Sequence, residues 1–378
     1  MSKRNIVLID HEPYSTRRRE LFYIDELRAS GYNVAVWDIS QLVFPGMKVT
    51  DEITESYLKK IYTIDEIDEL LQTINTDSTI FLVEAHNCWH NRKLFKLLSK
   101  YKCKTVKMNL YANLAIKITI INKIIRLWLP TLPQTIRRKS LEIINRLYDK
   151  CHHIYFPDYY LSSSSLGNPN QRINHPDYEK FRFNNHSPVV QNKYIVFLDT
   201  YFPFHPDLKY HDHFNNNNIT ECAKKYHQTL NRFFDFLETK HQMPVIIAAH
   251  PKSDYVGNEF NHRQIIKYKT DNLVINSSLV ITQTSNAISY IALADKPVIF
   301  ISTDTSNLIP RYKHMTDLLA NALNKKVYNL DAISNYDTIN ISKIDNETRT
   351  SYIYNYLTTK EIQDNKNIEI LKSLLEKI

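Results

Sequence analysis

The stretch that decides the fold is residues 244–302, PVIIAAHPKSDYVGNEFNHRQIIKYKTDNLVINSSLVITQTSNAISYIALADKPVIFIS. It contains three short apolar runs typical of buried parallel strands, at residues 245–249, 279–281 and 297–301. Residues 287–294 have helical character and lie between the second and third runs. This order of elements predicts an α/β domain built on a parallel sheet.

Polar side chains follow the first two of these runs. His250, Pro251 and Lys252 come directly after the first run, and Thr284 and Ser285 follow the second. In open α/β sheets, ligands bind outside the carboxyl ends of the strands, where a helix N-terminus offers N–H groups to an anion. The sequence therefore predicts a phosphate site at this edge of the sheet.

The same residues also have a purely structural interpretation. A Ser/Thr cluster ahead of a helix is often only a helix cap. The His-Pro pair occurs three times, at His175, His205 and His250, so the dipeptide by itself carries little information. What distinguishes His250 is its combination with Lys252 and with the Thr-Ser pair that follows the second run.

This stretch resembles the nucleotide-binding half of the GT-B glycosyltransferases, in particular the bacterial sialyltransferase-like and capsule transferases that use CMP-activated acidic sugars. The resemblance covers residues 190–305 and rests on three motifs: Asp199 in an FLDT sequence, His250-Pro251, and Thr284-Ser285 with Ser289 one turn later. The acidic motif of the family has two acids before a glycine, whereas this chain has Leu-Asp-Thr. The resemblance implies a catalytic role for His250 and Asp199. It implies donor binding by Pro251, Lys252, Thr284, Ser285, Asn286 and Ser289.

The resemblance also implies a GT-B fold, with two Rossmann-like α/β domains facing a cleft. The expected domains are an acceptor-binding domain at 1–190, a nucleotide-sugar-binding domain at 191–359 and a C-terminal helix at 360–378 that crosses back to the first domain. The implied activity is inverting transfer of an acidic sugar, of the nonulosonic acid or Kdo type, from a CMP donor to a capsule or lipopolysaccharide glycan. The CMP-sugar is a co-substrate, so no separate cofactor is expected.

Composition excludes several enzyme classes. The 378 residues suffice for two ordinary domains, and 43% hydrophobic with 12% aromatic residues indicate a globular protein. Only 4 glycines occur, and G-x-G-x-x-G, Walker and G-x-S-x-G motifs are absent. A dinucleotide-dependent oxidoreductase or a P-loop enzyme is therefore not expected.

Neither a metal site nor a disulfide framework is predicted. The 4 cysteines are spread along the chain without a C-x-x-C pair, and no D-x-D motif occurs. His250, Lys252 and the helix beginning near Ser285 are expected to balance the phosphate charge themselves. The apolar run at residues 6–9 is broken by Asp10 and does not resemble a secretory signal, so we expect a cytoplasmic protein.

The N-terminal sequence predicts a second α/β domain. Its first elements are a strand at residues 5–9, a helix at 15–29 and a strand at 32–37. The loop after the first strand holds Asp10, His11 and Glu12, which are candidates for acceptor contacts or for the general base. A solvated turn that caps the following helix is the alternative for each of them.

Glu84 and His86 stand at the end of another predicted strand, residues 79–83. Partial burial can raise the pKa of a glutamate towards neutrality, which suits a general base. Glu84 and Asp199 are therefore the two carboxylates between which the sequence leaves the choice of base open.

The remaining pattern completes the two domains. Further helices are predicted within residues 51–74, 91–100, 221–240 and 360–378, and further strands at 105–110, 151–156, 194–198 and 327–330. The aromatic residues of the 221–240 helix are expected in the core. Residues 158–192, rich in Ser and Pro, are predicted as an irregular linker between the domains.

The positive charge is concentrated in one segment. Of the net charge of +8, residues 111–150 contribute +6, from eight Lys/Arg and two Asp/Glu, which leaves +2 elsewhere, so nucleic-acid binding is not expected. Cations such as Lys117, Lys123 and Arg126 interrupt residues 112–150 too often for a membrane span of about 20 apolar residues. The segment suits a helix lying on an anionic membrane surface, at the inner face of the cell membrane. The alternative is a helix pair packed on the N-terminal sheet with its basic side in solvent.

Three other functions are considered. A polyol-phosphate transferase with a CDP-glycerol-like donor would share the GT-B frame and a histidine at the same edge. A non-catalytic GT-B-like glycan assembly protein would retain the fold without binding nucleotide. A basic RNA-binding protein would lose its RNA affinity steeply with salt.

Overall fold

The computed structural model describes residues 4–47, 51–111, 132–166, 168–205, 208, 219–256 and 258–378, without the side chains of 132–138. Contacts divide the chain into two compact units. Unit 1 is Met1–Asn174 together with Asn365–Ile378, and unit 2 is His175–Asp364. Each unit is an α/β domain with one parallel sheet, as the sequence predicts.

Unit 1 contains a seven-stranded sheet in the order β3-β2-β1-β4-β5-β6-β7. The strands are β1 (Asn5–Asp10), β2 (Asn33–Asp38), β3 (Leu58–Lys60), β4 (Thr79–Val83), β5 (Lys104–Asn109), β6 (Tyr159–Ser162) and β7 (Gln171–Arg172). All neighbouring pairs are parallel, so the carboxyl ends of the strands lie along one edge of the sheet.

Amphipathic helices cover this sheet. They are α1 (Thr16–Leu21), α2 (Ile24–Ala29), α3 (Ser40–Val43), α4 (Ile64–Thr73), α5 (Arg92–Lys100) and α6 (Leu132–Cys151), with 3₁₀ turns at Thr76–Ser78 and Trp89–Asn91. On α5, Leu94, Phe95 and Leu98 are buried and join Val7, Phe81 and their neighbours in one apolar core. The three side chains recur at helical spacing, so they share one face of the helix.

Unit 2 contains a six-stranded sheet in the order β10-β9-β8-β11-β12-β13. The strands are β8 (Ile195–Leu198), β9 (Val245–Ala249), β10 (Ile265–Lys267), β11 (Leu279–Thr282), β12 (Val298–Ser302) and β13 (Val327–Asn329). All pairs are again parallel. The central strand β8 lies between β9 and β11, which contain the apolar runs at residues 245–249 and 279–281. This confirms that the polar residues after these two runs lie at the same edge of one sheet.

The helices of unit 2 precede and follow these strands. They are α7 (Pro176–Phe183), α8 (Ile219–His241), α9 (Thr270–Asn276), α10 (Ile288–Leu293), α11 (Asp304–Asn307), α12 (Pro310–Ala322) and α13 (Asn346–Tyr352), with a 3₁₀ turn at Tyr336–Thr338 and a π-helical turn at Ile353–Leu357. Tyr226, Phe233 and Phe234 of α8 are fully buried against the sheet, as predicted for the aromatic residues of this helix. Helix α14 (Asn367–Lys377) belongs to unit 1.

Two predicted helices of the N-terminal domain differ in the structure. The helix predicted at 15–29 is broken at Tyr23, whose backbone is left-handed with φ 55°, so that α1 and α2 are separate. The helices predicted within residues 51–74 included Leu58 in their apolar spacing, which is wrong, because Leu58 lies in β3 and pairs with Val36 of β2. Only Ile64–Thr73 is helical there, and it starts at Thr63, whose hydroxyl accepts the N–H of Glu66.

The segment that joins the two units also differs. The prediction of a strand at 151–156 is wrong, because Cys151 ends α6 and residues 154–156 form a loop whose Phe156 ring packs against Phe95 at 4.6 Å. The region predicted as a linker, 158–192, contains β6, β7 and α7. Residues 175–190 therefore group with unit 2, whereas the predicted boundary lay at 190.

The basic segment 112–150 is only partly described. Residues 112–131, with Lys117, Lys123 and Arg126, lie outside the described residues, and α6 covers the remainder. In the described part of the chain, no helix combines the length and the apolar character that crossing a membrane requires.

Candidate functional site

In unit 2, three neighbouring strands end side by side. Asp199 follows β8, His250 follows β9 and Gln283 follows β11, with β8 in the middle. Because the strands are parallel, these three residues come to the same edge of the sheet. Asp199 and His250 are among the predicted site residues. Gln283 was not predicted as a site residue and is identified from the structure.

Asp199 connects the loops that follow β8 and β9. The side chain is buried, Oδ1 accepts the N–H of Tyr201 at 2.9 Å, and Oδ2 accepts the N–H of His250 at 3.2 Å. Burial raises the pKa of the carboxyl group, while these N–H groups and the Tyr255 hydroxyl beside it act in the opposite direction. In the described part of the chain, no cation forms an ion pair with Asp199.

His250 has a defined ring orientation. Its Nδ1 accepts the N–H of Lys252 at 3.1 Å, and its carbonyl oxygen accepts the N–H of Ser253 at 2.9 Å. An Nδ1 that accepts carries no proton, so the proton of the neutral ring is on Nε2. Nε2–H is therefore a hydrogen-bond donor in this tautomer. The ring packs edge-on against His205, with centroids 4.6 Å apart.

A buried polar network lies behind these residues. Gln283 is fully buried, and its Oε1 accepts the hydroxyls of Tyr226 at 2.9 Å and Tyr312 at 2.6 Å. Tyr312 also shares a hydrogen bond with Thr200. Burial raises the pKa of both tyrosines, so the phenols stay neutral. The network holds Thr200, which follows Asp199, and Gln283, which follows β11.

The Thr/Ser motif after β11 is placed beside this network. Thr284 and Ser285 are half-buried and Asn286 is exposed. The Ser285 hydroxyl accepts the N–H of Ala287 at 3.3 Å, so this side chain stabilises the turn before α10. Helix α10 begins at Ile288, after Ser285 rather than at it, and has 6 residues. Their donor-binding role stays a prediction.

Ser289 and Pro251 complete the predicted donor set. Ser289 is buried, and its hydroxyl donates to the carboxylate of Asp177 on α7. This contact ties α10 to α7 and gives the hydroxyl a partner within unit 2. Pro251 is exposed, and its carbonyl oxygen accepts the Tyr268 hydroxyl at 3.4 Å. Lys252, also exposed, follows it in the turn.

In unit 1, the end of β1 carries a buried ion pair. Arg18 of α1 donates to Asp10 through Nε at 2.6 Å and through Nη2 at 2.8 Å, a bidentate contact. Asp10 is fully buried, and Arg18 is 7% exposed. Asp10 Oδ1 also accepts the N–H of Glu12 at 3.0 Å. Asp10 is thus held by its neighbours and organises the loop in which it lies.

Glu84, at the end of β4, has a similar arrangement. Lys107 of β5 donates to Glu84 Oε2 at 3.2 Å, and the N–H of Met108 donates to Oε1 at 3.3 Å. Burial raises the pKa of Glu84, while Lys107 and Arg18 act in the opposite direction. Glu84 is thus a buried carboxyl group with a raised pKa, and its role as the base stays a prediction.

His11 and His86 lie close together at this edge, with ring centroids 5.3 Å apart. Burial, followed by the charge of His86, lowers the pKa of His11 to about 4, so that His11 is neutral at pH 7. Burial also lowers the pKa of His86. The side chain of Glu12 is 38% exposed and lies 3.6 Å from Arg18, which makes it the most accessible of the three acids Asp10, Glu12 and Glu84.

Among the residues that the structure describes, no group of three or more His, Cys, Asp or Glu side chains is placed to hold a metal ion. Cys88 and Cys151 are exposed, and Cys103 and Cys222 are buried, all four as free thiols.

The chain is similar in structure to several solved proteins. A variant of the wall teichoic acid polymerase TagF has a TM-score of 0.51 and 11% sequence identity, over 99% of this chain and 90% of that chain. The glycosyltransferase SnogD from Streptomyces nogalater has a TM-score of 0.46 and 9% identity, over 100% of both chains. The spinosyn rhamnosyltransferase SpnG, complexed with thymidine diphosphate, has a TM-score of 0.44 and 11% identity, over 98% of this chain and 92% of that chain.

The two parallel-sheet domains and the likeness over nearly the whole chain decide the architecture. The chain has the GT-B fold. At these sequence identities the likeness shows the fold alone. No protein-family profile and no curated protein matches the sequence.

Within this GT-B fold, the structure brings the predicted residues together in two groups. Asp199, His250 and Lys252 are neighbours in unit 2, where Thr284 and Ser285 follow β11 on the other side of β8. Asp10, His11, Glu12 and Glu84 are neighbours in unit 1.

Sequence reasoning missed four residues of these groups, namely Arg18, Lys107, Gln283 and Tyr312. Arg18 is one of three consecutive arginines, and the triplet itself does not show which of them turns inward. Lys107 interrupts an apolar strand, which is a signal that could have identified it. Gln283 follows the second apolar run after Thr282, much as His250 follows the first run, and this similarity was available in the sequence.

Proposed function

We propose that this GT-B chain is a glycosyltransferase that moves an acidic sugar, of the nonulosonic acid or Kdo type, from a CMP donor to a capsule or lipopolysaccharide glycan. The observation that carries the proposal is the arrangement of His250. Its Nδ1 is held by the N–H of Lys252, its own N–H is held by Asp199, and its Nε2–H is a donor at the carboxyl end of β9. The GT-B fold and the CMP-sugar motifs of the sequence support the same assignment.

The chemistry assigns a role to each group. The bond between the anomeric carbon and the phosphate oxygen breaks, and its electron pair passes to that oxygen. Nε2–H of His250 donates to the oxygen as negative charge develops, and the Lys252 ammonium adds a positive charge. The acceptor hydroxyl oxygen bonds to the anomeric carbon on the opposite face, which inverts the configuration, and its proton passes to a carboxylate.

Asp199 is better suited to positioning than to accepting that proton. Both of its oxygens accept backbone N–H groups, and the residue is 4% exposed. We propose that Asp199 holds the backbone of His250. Glu84, Asp10 and Glu12 then remain as bases, and Glu12 is the one whose side chain solvent reaches.

Nucleotide binding is the first test. Thermal unfolding is measured with CMP, CDP, UDP and GDP, because a ligand of the folded state raises its stability by mass action. We expect stabilisation by CMP above that by the other three. The absence of stabilisation by any nucleotide, checked by calorimetry, would instead support the non-catalytic assembly protein.

His250→Ala is the second test. It should lower kcat of sugar transfer by about 10²–10⁴ with little change in melting temperature. The matched control is His241→Ala, at the far end of α8 in the same unit, which should retain activity. A lower melting temperature for His250→Ala with activity retained at low temperature would show a packing role instead.

The base is identified by three variants, Glu12→Gln, Glu84→Gln and Asp199→Asn. The variant that removes the base should lower kcat by about 10²–10⁴ and leave donor affinity nearly unchanged. Asp199→Asn should lower kcat less than His250→Ala, because a positioning residue acts through the histidine. Near-normal turnover in all three would leave Asp10 as the remaining candidate.

A polyol-phosphate transferase is the second candidate. One structural neighbour with a TM-score of 0.51 is a wall teichoic acid polymerase, and its likeness extends over 99% of this chain. A CDP-glycerol-like donor would present the same kind of phosphate to His250. The products separate the two candidates, since polyol-phosphate transfer leaves phosphorus in the acceptor and sugar transfer from a CMP donor does not.

We also propose contact with an anionic membrane surface through the segment 112–150, which would place a cytoplasmic enzyme beside a lipid-linked acceptor. On the described part of α6, Ile143, Ile144 and Leu147 lie on one face and are 43–59% exposed. Lys139, Arg146 and Lys150 are exposed on the same helix. Exposed apolar side chains with neighbouring cations suit an interfacial helix.

Vesicle sedimentation tests the membrane contact. The protein should pellet with vesicles of anionic lipid and be released by salt, because each cation near the surface contributes ~1 kcal/mol. Changing Lys139, Arg146 and Lys150 to Glu should abolish pelleting, whereas Lys93→Glu with Lys96→Glu on α5 should not. Equal pelleting with neutral vesicles would contradict the proposal.

A further inference from the structure

Phe44 is an exposed aromatic side chain at the carboxyl-end edge of the unit 1 sheet. It follows α3, which begins two residues after the end of β2, and it is 45% exposed. The N–H of Ile39 donates to the carbonyl oxygen of Asp10 at 2.8 Å, so this segment starts beside the end of β1. A single exposed apolar side chain is ordinary on a protein surface, so its surroundings decide whether it has a function.

The turn that carries Phe44 is held by hydrogen bonds from the backbone and from a side chain. The N–H of Met47 donates to the carbonyl oxygen of Phe44 at 3.0 Å, which closes a four-residue turn. Pro45 stands at its second position and Gly46, with φ 83°, at its third, as in a type II turn. Gln41 accepts the N–H of Gly46 at 3.0 Å and donates to the carbonyl oxygen of Met47 at 2.8 Å. A ligand that covers Phe44 therefore meets a backbone that is already ordered.

Two imidazole rings continue the surface that Phe44 begins. The centroid of the His11 ring lies 5.9 Å from that of Phe44 and 5.3 Å from that of His86. The side chain of His11 is 15% exposed, and His86 is exposed. Solvent therefore reaches all three rings, which follow one another from Phe44 through His11 to His86.

Both imidazoles are neutral at pH 7. Burial, followed by the charge of His86, lowers the pKa of His11 to about 4. Partial burial and the charge of Lys107 lower the pKa of His86 below its ordinary value of 6.5. A neutral imidazole offers one N–H donor and one acceptor nitrogen, but no charge to attract an anion. The rings therefore suit a ligand that brings hydroxyl groups rather than a negative charge.

A sugar ring matches this combination of groups. One face of a pyranose carries C–H groups, which leave water when they cover an aromatic ring, and its rim carries hydroxyl groups. Hydroxyl groups find hydrogen-bond partners in His86 and in Glu12, whose side chain is 38% exposed. A hydrocarbon chain on Phe44 would take these polar groups from water without replacing their hydrogen bonds.

We propose that Phe44 is the surface on which one uncharged sugar ring of the acceptor stacks, with its hydroxyl groups towards His86 and Glu12. The inference rests on the proposed function, which assigns the unit 1 edge to the acceptor. It adds that the acceptor unit bound at this edge is a neutral sugar ring, rather than an acidic sugar or a polyol phosphate. Binding of such a ring requires neither nucleotide nor the chemistry at His250, so the two assignments are tested separately.

Saturation-transfer NMR on the full-length protein, without nucleotide, is the test. The neutral probes are the methyl glycosides of glucose, galactose and N-acetylglucosamine, and the charged comparators are the methyl glycoside of N-acetylneuraminic acid and glycerol 3-phosphate. We expect a saturable effect on the ring C–H protons of at least one neutral probe at millimolar concentrations. The charged comparators should give a weaker effect.

Three variants assign the effect to Phe44. Phe44→Ala should lower the affinity for the neutral probe about fivefold, because part of one aromatic face is lost, and Phe44→Trp should restore it. The matched control is Tyr155→Ala, which removes an aromatic side chain that is 77% exposed and precedes β6, at the amino-end edge of the sheet. It should bind as the unchanged protein does. Because Phe44 is exposed, all three variants should keep the melting temperature of the unchanged protein.

Kinetics separate this inference from the proposed function. In a transfer assay, Phe44→Ala should raise the acceptor KM with little change in kcat, whereas His250→Ala should lower kcat. The inference is overturned if no neutral probe gives a saturable effect, or if Phe44→Ala binds as tightly as Tyr155→Ala. Octyl glucoside and CMP test other occupants of Phe44. An effect on the alkyl chain of octyl glucoside or on the base of CMP that is lost in Phe44→Ala would assign Phe44 to a lipid or to a nucleotide instead, and would equally overturn it.

Discussion

The carboxyl-end edges of the two sheets are built alike, but the buried acids at the two edges have different hydrogen-bond partners. In unit 1, Asp10 and Glu84 each have a cation within hydrogen-bond distance, Arg18 and Lys107 respectively. In unit 2, Asp199 occupies the position that corresponds to Asp10, at the end of the central strand, and accepts only backbone N–H groups with a tyrosine hydroxyl beside it. Burial raises the pKa of all three acids, and cations oppose it only in unit 1.

The difference shows that a parallel sheet brings the side chains at its strand ends together, but that other elements supply the groups that balance their charges. An edge of ion pairs is nearly neutral as a whole and suits an acceptor that brings hydroxyl groups. An edge at which the acid is held by backbone dipoles leaves the charge of Lys252 uncompensated by that acid, which suits a phosphate. This contrast agrees with the proposed division between acceptor and donor.

The largest expected effect is the loss of the buried ion pair in unit 1. Arg18→Met leaves the Asp10 carboxylate without its bidentate partner, and an uncompensated buried charge costs about 3–5 kcal/mol. Urea denaturation measures this loss. The matched control is Arg17→Met, the exposed neighbour on α1, which should change stability by less than about 0.5 kcal/mol. Equal effects of the two variants would mean that the pair does not stabilise unit 1.

The pH dependence of His11 is the next largest effect. Its pKa is about 4 in the folded protein, compared with 6.5 for an unperturbed histidine. Below pH 6.5 the unfolded chain takes up a proton that the folded protein does not, so stability falls as the pH falls from 6.5 to about 4. The loss from this residue is on the order of 3 kcal/mol.

Urea denaturation at a series of pH values measures this dependence. His11→Gln should lose less stability than the unchanged protein over the same pH interval. The exposed His90, changed to Gln, is the control and should leave the pH profile as it is. Identical profiles for His11→Gln and the unchanged protein would show that His11 is not held neutral by its surroundings.

A smaller effect is expected when the acid of unit 2 loses its charge. Asp199→Asn keeps one acceptor oxygen but directs an amide N–H₂ at a backbone N–H of either Tyr201 or His250. One hydrogen bond is lost and no buried charge is left unpaired, so the cost is about 1–2 kcal/mol. Thermal and urea unfolding measure it beside Arg18→Met. A cost as large as that of Arg18→Met would remove the distinction between the two edges.

The smallest effect concerns the hydroxyl beside Asp199. Tyr255→Phe should raise the pKa of Asp199 further, because the neighbouring hydroxyl lowers it. A carboxyl ¹³C NMR titration follows the pKa. In a double-mutant cycle with Asp199→Asn, the two stability changes should not add, which is the sign of a direct interaction. Strict additivity would place the hydroxyl outside the environment of Asp199.

The sequence alone determined the central strands of both sheets and the edge to which their polar ends belong. The apolar runs at residues 245–249 and 279–281 are β9 and β11, and both flank β8 with Asp199 at its end. Such runs are readable because a strand buried on both faces needs apolar side chains throughout, while the residue after it returns to the polar surface. For the same reason, Glu84 and Asp10 were recognised at the ends of β4 and β1.

Only the tertiary structure decided which partners those residues have. Arg18 rather than Arg17 or Arg19 meets Asp10, because the hydroxyl of Ser15 accepts the N–H of Arg18 at the start of α1 and sets the rotation of the helix. Lys107 meets Glu84 because β5 pairs with β4, and Tyr312 meets Gln283 across 29 residues of chain.

The segment between the units was misread for a related reason. Apolar periodicity reports how deeply a residue is buried, but a helix such as α7 is stabilised by contacts with residues that are distant in the sequence. Asp177 of α7 bonds Ser289, and the N–H of His175 bonds the carbonyl of Leu357, so the local sequence of 158–192 contains little of what orders it. Local pattern specifies burial, whereas pairing between distant residues depends on how the whole chain packs.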